Sequence, residues 1–112
     1  MAQTLAYGKL KRYVETLEDS YVYVPDKGTI YNAETFTTIN FIQLTNNQSS
    51  AVTFTLWIQY DEYELLITPK NYSLSADDTF IITDEYYLGE ANKIMAACSV
   101  EDGIDFIIHG TI

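Results

Sequence analysis

Cysteine, histidine and basic residues are scarce in this chain, and each shortage closes a class of chemistry. Cys98 is the single cysteine among 112 residues, so no disulfide can form within them. His109 is the single histidine, which leaves a tetrahedral Cys/His zinc site without ligands. Six Lys and Arg stand against sixteen Asp and Glu, a formal net charge of −10. That balance argues against nucleic acid or an anionic membrane surface as partner, and it favours a basic protein. The five glycines are scattered, so no phosphate-cradling loop exists. No apolar run approaches the roughly 20 residues that span a bilayer. Met1-Ala2-Gln3-Thr4 lacks the basic-then-apolar order of a signal peptide. The expectation is a soluble chain synthesised in a cytoplasm.

What the chain has in quantity is β chemistry. Ten Tyr, five Phe and one Trp suit half-buried pleated surfaces and wet protein interfaces. In residues 52–58, Val52, Phe54, Leu56 and Ile58 alternate with Thr53, Thr55 and Trp57. Successive strand side chains point to opposite faces, so one face is apolar and the other carries Thr and Trp. A long strand is expected over 35–45, apolar on both faces near Phe41, Ile42 and Leu44 and so buried on both. Shorter strands are expected at 29–31, 64–68, 72–74, 79–83, 86–88, 93–99 and 104–112. The polar stretches 46–50, 75–78, 84–85, 89–92 and 101–103 separate them. Tyr21-Val22-Tyr23-Val24 reads as a further strand, stopped by Pro25 and the turn 26–28. About eight strands with turns at this spacing predict an all-β, single antiparallel β-sandwich over residues 20–112. Residues 1–19 read as an extended N-terminal arm or edge strand, although Leu10, Tyr13, Val14 and Leu17 also fit helical spacing.

No catalytic constellation emerges from these strands. Hydrolysis or group transfer needs an activated nucleophile or a base beside its target proton. His109 lies on the last strand with no partner histidine, and it reads as a solvent or interface residue. Cys98, in the apolar run 93–98, reads as a buried, inert thiol. The carboxylates gather at strand ends, as in Asp61-Glu62, Asp77-Asp78 and Glu101-Asp102, and match no calcium loop. The expectation is a non-enzyme without metal or cofactor.

Two groups remain as candidates for partner binding. Lys9, Lys11 and Arg12 bring half the basic residues together, next to Tyr13, while residues from 20 onward carry −10. Such an arm suits docking on an acidic neighbouring subunit. Trp57, Tyr60 and Tyr63 lie beside Asp61 and Glu62. Aromatic rings flanked by carboxylates are also what a carbohydrate- or receptor-binding module presents.

From Tyr31 onward the order of features resembles a group of small tailed-bacteriophage virion proteins built on a compact β-sandwich. The shared features are Thr45-Asn46-Asn47-Gln48-Ser49-Ser50 before the strand Ala51 to Trp57, then Leu74-Ser75-Ala76-Asp77-Asp78-Thr79. Leu88-Gly89-Glu90-Ala91-Asn92 before Lys93-Ile94 and the closing run Asp105 to Ile112 follow. The chain departs from the group at Asp77, Ala91 and Asn92, where Gly, Gly and Asp are more usual. The resemblance covers about 80 residues and brings no catalytic residues with it. It implies a virion structural protein at the head–tail neck, collar or tail, or else a capsid decoration protein. Its partners would be copies of itself and portal, neck, tail or major capsid proteins, in a homo-oligomer.

Overall fold

The computed structural model describes residues 2–12, 28–61, 63–69 and 71–112. Among them, ten strands form two five-stranded antiparallel sheets that pack as a β-sandwich. Sheet A contains β1 (Gln3–Lys9), β3 (Thr37–Asn46), β7 (Thr79–Ile82), β8 (Tyr86–Leu88) and β10 (Ile104–Thr111). Sheet B contains β2 (Thr29–Asn32), β4 (Val52–Tyr60), β5 (Tyr63–Leu66), β6 (Tyr72–Leu74) and β9 (Lys93–Cys98). The strand expected at 21–24, its turn and the helical spacing through Leu17 reach outside the described residues.

The long strands organise each sheet. In sheet A the order is β1-β10-β3, and the far side of β3 is shared by β8 along Thr37 to Ile39 and β7 along Ile42 to Thr45. In sheet B the order is β2-β9-β4, and the far side of β4 is shared by β6 along Val52 to Phe54 and β5 along Trp57 to Tyr60. If each broken edge counts as one strand, eight positions run 1-8-3-6 in one sheet and 2-7-4-5 in the other. That is the order of two Greek keys wound into a jelly roll. Ten short strands thus fill the eight positions that turn spacing alone suggests.

Where the edge of sheet B breaks, side chains take over from the strand ladder. The buried Thr68 hydroxyl accepts from the Leu56 N–H at 3.1 Å, and the Thr55 hydroxyl accepts from the Asn71 N–H at 2.9 Å. Buried backbone donors need such partners, because an unpaired one costs about as much as a lost hydrogen bond.

The core lies between the sheets and follows the alternation in the sequence. Val52, Phe54, Leu56 and Ile58 of β4 meet Ile94, Ala96 and Cys98 of β9 on one side, with Ile42, Leu44, Ile104, Phe106 and Ile108 on the other. The long strand β3 departs from expectation. It buries Ile42 and Leu44, while Phe41 and Gln43 face outward and stay half-buried. A bulge then sets the phase of the start of the strand. Phe41 pairs with His109 but Ile39 pairs with Gly110, so Asn40 is an extra residue that keeps Ile39 and Ile42 on one face. Gly110 is needed there because a Cβ would lie 2.2 Å from the Thr38 carbonyl oxygen.

Residues 3–9 of the expected arm form β1, an edge strand paired with β10 from Gln3↔Gly110 to Lys9↔Asp105. Leu10, immediately after, is fully buried in the core. Its N–H donates to the Ile104 carbonyl at 2.9 Å, which ties the chain to the start of β10.

Candidate functional site

Pairing of β1 with β10 decides the fate of the basic cluster. Register places Lys9 opposite Asp105, and the ammonium donates to Asp105 Oδ1 at 2.5 Å. Lys11 donates to Asp102 Oδ1 at 2.9 Å. The Arg12 backbone N–H donates to Glu101 Oε1 at 3.0 Å. Asp105 also accepts from the Asn47 amide at 2.9 Å. The Lys9 hydrogen bond outweighs a small desolvation cost and, with the Asn47 bond, holds the Asp105 carboxyl below its ordinary 3.8. The hydrogen bond to Asp102, helped by its charge, raises Lys11 above 10.5. Lys9 and Lys11 are therefore engaged within the chain by the acids of the β9–β10 turn and β10. Tyr13 lies outside the described residues.

The aromatic candidates separate. Trp57 is 5% exposed and packs with Met95 and Ala97 on the outer side of sheet B, so its ring offers no open platform. Tyr60 donates its hydroxyl to the Tyr87 carbonyl at 3.1 Å, linking the ends of β4 and β8, and burial pushes its pKa up. Tyr63 is 72% exposed, and with Leu65 and Leu66 it makes β5 apolar and open to solvent. Three rings that are neighbours in sequence thus have three different roles, because β4 runs from the covered middle of a sheet to its end and β5 returns along the edge.

Other exposed apolar side chains were not singled out by the sequence. Phe36 and Tyr87 are both more than half exposed and stack at 6.4 Å and 11°. On the outer face of sheet A, Tyr7 is 78% and Ile81 52% exposed. Register sets these two in one row, Tyr7↔Ile107↔Gln43↔Ile81, across the whole sheet. The adjacent row holds Phe41 and His109, whose rings stack at 5.2 Å. The signal that finds them is the outward phase of four strands taken together, and it becomes useful only once their register is known.

Cys98 is buried, with its thiol donating to the Val100 carbonyl at 2.9 Å, and desolvation pushes its pKa up. Among the described residues, no three His, Cys, Asp or Glu come together at metal-binding distance. What the molecule offers is surface: an open sheet face, an apolar edge strand and an exposed aromatic pair. No family model matches the chain, and no match is found among curated proteins.

Proposed function

We propose that this chain is a non-enzymatic structural protein that assembles through its own surfaces into a tailed-bacteriophage particle, at the head–tail neck, collar or tail. The observation that carries this reading is the set of large apolar side chains left open on ordered strands, with Tyr7 and Ile81 on sheet A and Tyr63, Leu65 and Leu66 on β5. Exposed strand edges and apolar faces are liabilities for a free monomer and assets for a subunit. The sequence resemblance from Tyr31 onward supplies the phage context. A jelly-roll order is compatible with it, since capsid proteins share that architecture with lectins and cupins, but fold analogy alone names no partner. Placement as a capsid decoration protein rests on the same features. The carbohydrate-binding alternative has less support, because Trp57, its central ring, is buried.

In this reading assembly depends on sheet and edge surfaces more than on a basic clamp, since Lys9 and Lys11 already have acidic partners. Quantitative mass spectrometry of purified particles whose genome encodes the chain is the test. Multiple copies per particle are expected. Particles that lack the chain would refute the virion assignment.

A further inference from the structure

The five strands of sheet A hold two charged residues, Lys9 and Asp105, and these neutralise one another. In a chain of net charge −10, this sheet therefore carries none of the excess. The acids lie mostly in the turns, as with Asp77, Asp78, Asp84, Glu85 and Glu101. Along the Lys9 row the remaining polar groups are also satisfied, with the Thr45 and Thr79 hydroxyls 3.0 Å apart. The neighbouring row, Tyr7, Ile107, Gln43 and Ile81, is neutral and largely apolar, and the Phe41–His109 stack widens it. The outer side of sheet B differs, because Trp57, Met95 and Ala97 on it are already buried.

Charge decides between occupants. A basic partner would find no unpaired carboxylate on the outer face of sheet A and would gain more at the turns. A second copy, repelled by turns of its own sign, can approach this face without bringing like charge to like. Size is consistent with that. Four strand positions about 4.8 Å apart and roughly eight residues at about 3.3 Å each give a face of roughly 15–20 by 25 Å. Two copies covering it would remove on the order of 1,000 Å² from water, the lower bound for a specific interface.

We propose that a second copy of this chain packs on the outer face of sheet A, sheet against sheet, about a two-fold axis that runs along the strands between Ile107 and Gln43. The row is self-complementary under that symmetry, since Tyr7 of one copy meets the Ile81 end of its partner. This deepens the assembly reading and rests on it for the premise that copies meet.

Sedimentation equilibrium of the full chain over a wide concentration range tests the pairing. The parent should reach twice the monomer mass. Tyr7→Glu with Ile81→Glu should weaken the dimer at least 100-fold and leave the circular dichroism unchanged, because both side chains are exposed. Leu66→Glu, on the edge of sheet B, should leave the dimer intact. A parent dimer that survives the double change overturns the face and leaves the assembly reading standing. A parent that stays monomeric throughout overturns both the pairing and self-association. If that monomer still needs Tyr7 and Ile81 to enter particles, the face belongs to a different protein and the second-copy assignment fails.

Discussion

Asn46 shows how much one side chain can hold. It is fully buried, and its amide donates to the carbonyls of Ser50, Leu74 and Ser75 while its oxygen accepts from the Gln48 N–H at 2.7 Å. It ties the β3–β4 turn to the β6–β7 turn. Asn46→Ala should cost about 2–3 kcal/mol in urea titration, because it leaves buried backbone groups unpaired. The sequence marked this residue as turn chemistry but could not say which carbonyls it reaches. Ala91 is the reverse case. It adopts φ +71°, a left-handed conformation that glycine takes without steric cost. Relief of about 1–2 kcal/mol of strain, set against about 0.4–1 kcal/mol of added chain entropy, makes Ala91→Gly stabilising by roughly 0.5–1 kcal/mol. A lower melting temperature for that variant would contradict the account. Trp57 was legible only by half, because alternation gives the face of a side chain and not what lies over it.

At the scale of the strand, the reading succeeded where period two is clean. β4, β6, β8 and β10 fall where alternation and turn residues put them, and Leu56, on the inner side of β4, is fully buried. Leu56→Ala should therefore cost about 2–5 kcal/mol, whereas Leu66→Ala on exposed β5 should stay within about 0.5 kcal/mol in the same denaturant titration. Equal losses would mean that β5 is covered. The bulge in β3 was not legible, since an extra residue at Asn40 leaves no mark on composition. The setting of the basic cluster was not legible for a related reason. Its meaning depends on Lys9 facing Asp105, and a pairing across 96 positions is a property of topology.

For the molecule as a whole, the all-β class, the sandwich and the core were readable, because burial and alternation are local. Strand order and the neutral face were not, because both arise from register between distant segments. The Lys9–Asp105 pair gives this level a pH signature. A carboxyl lowered on folding adds stability above its unfolded value of 3.8, and that contribution disappears as pH falls through the lower folded value. The parent should thus lose stability below about pH 4, and Asp105→Asn should lose less between about pH 6 and about pH 3 in urea titration. An unchanged acid slope in the variant would show that the pair makes no net contribution. The pairing of Gln3 with Gly110 has a further consequence, in time rather than in space. β10 is the neighbour of both β1 and β3, so sheet A cannot form until β10 has been made. Closing so many distant contacts is slow, and until then the apolar strands stand open. A sheet whose β1 must wait for β10 leaves its apolar strands open to aggregation until β10 emerges.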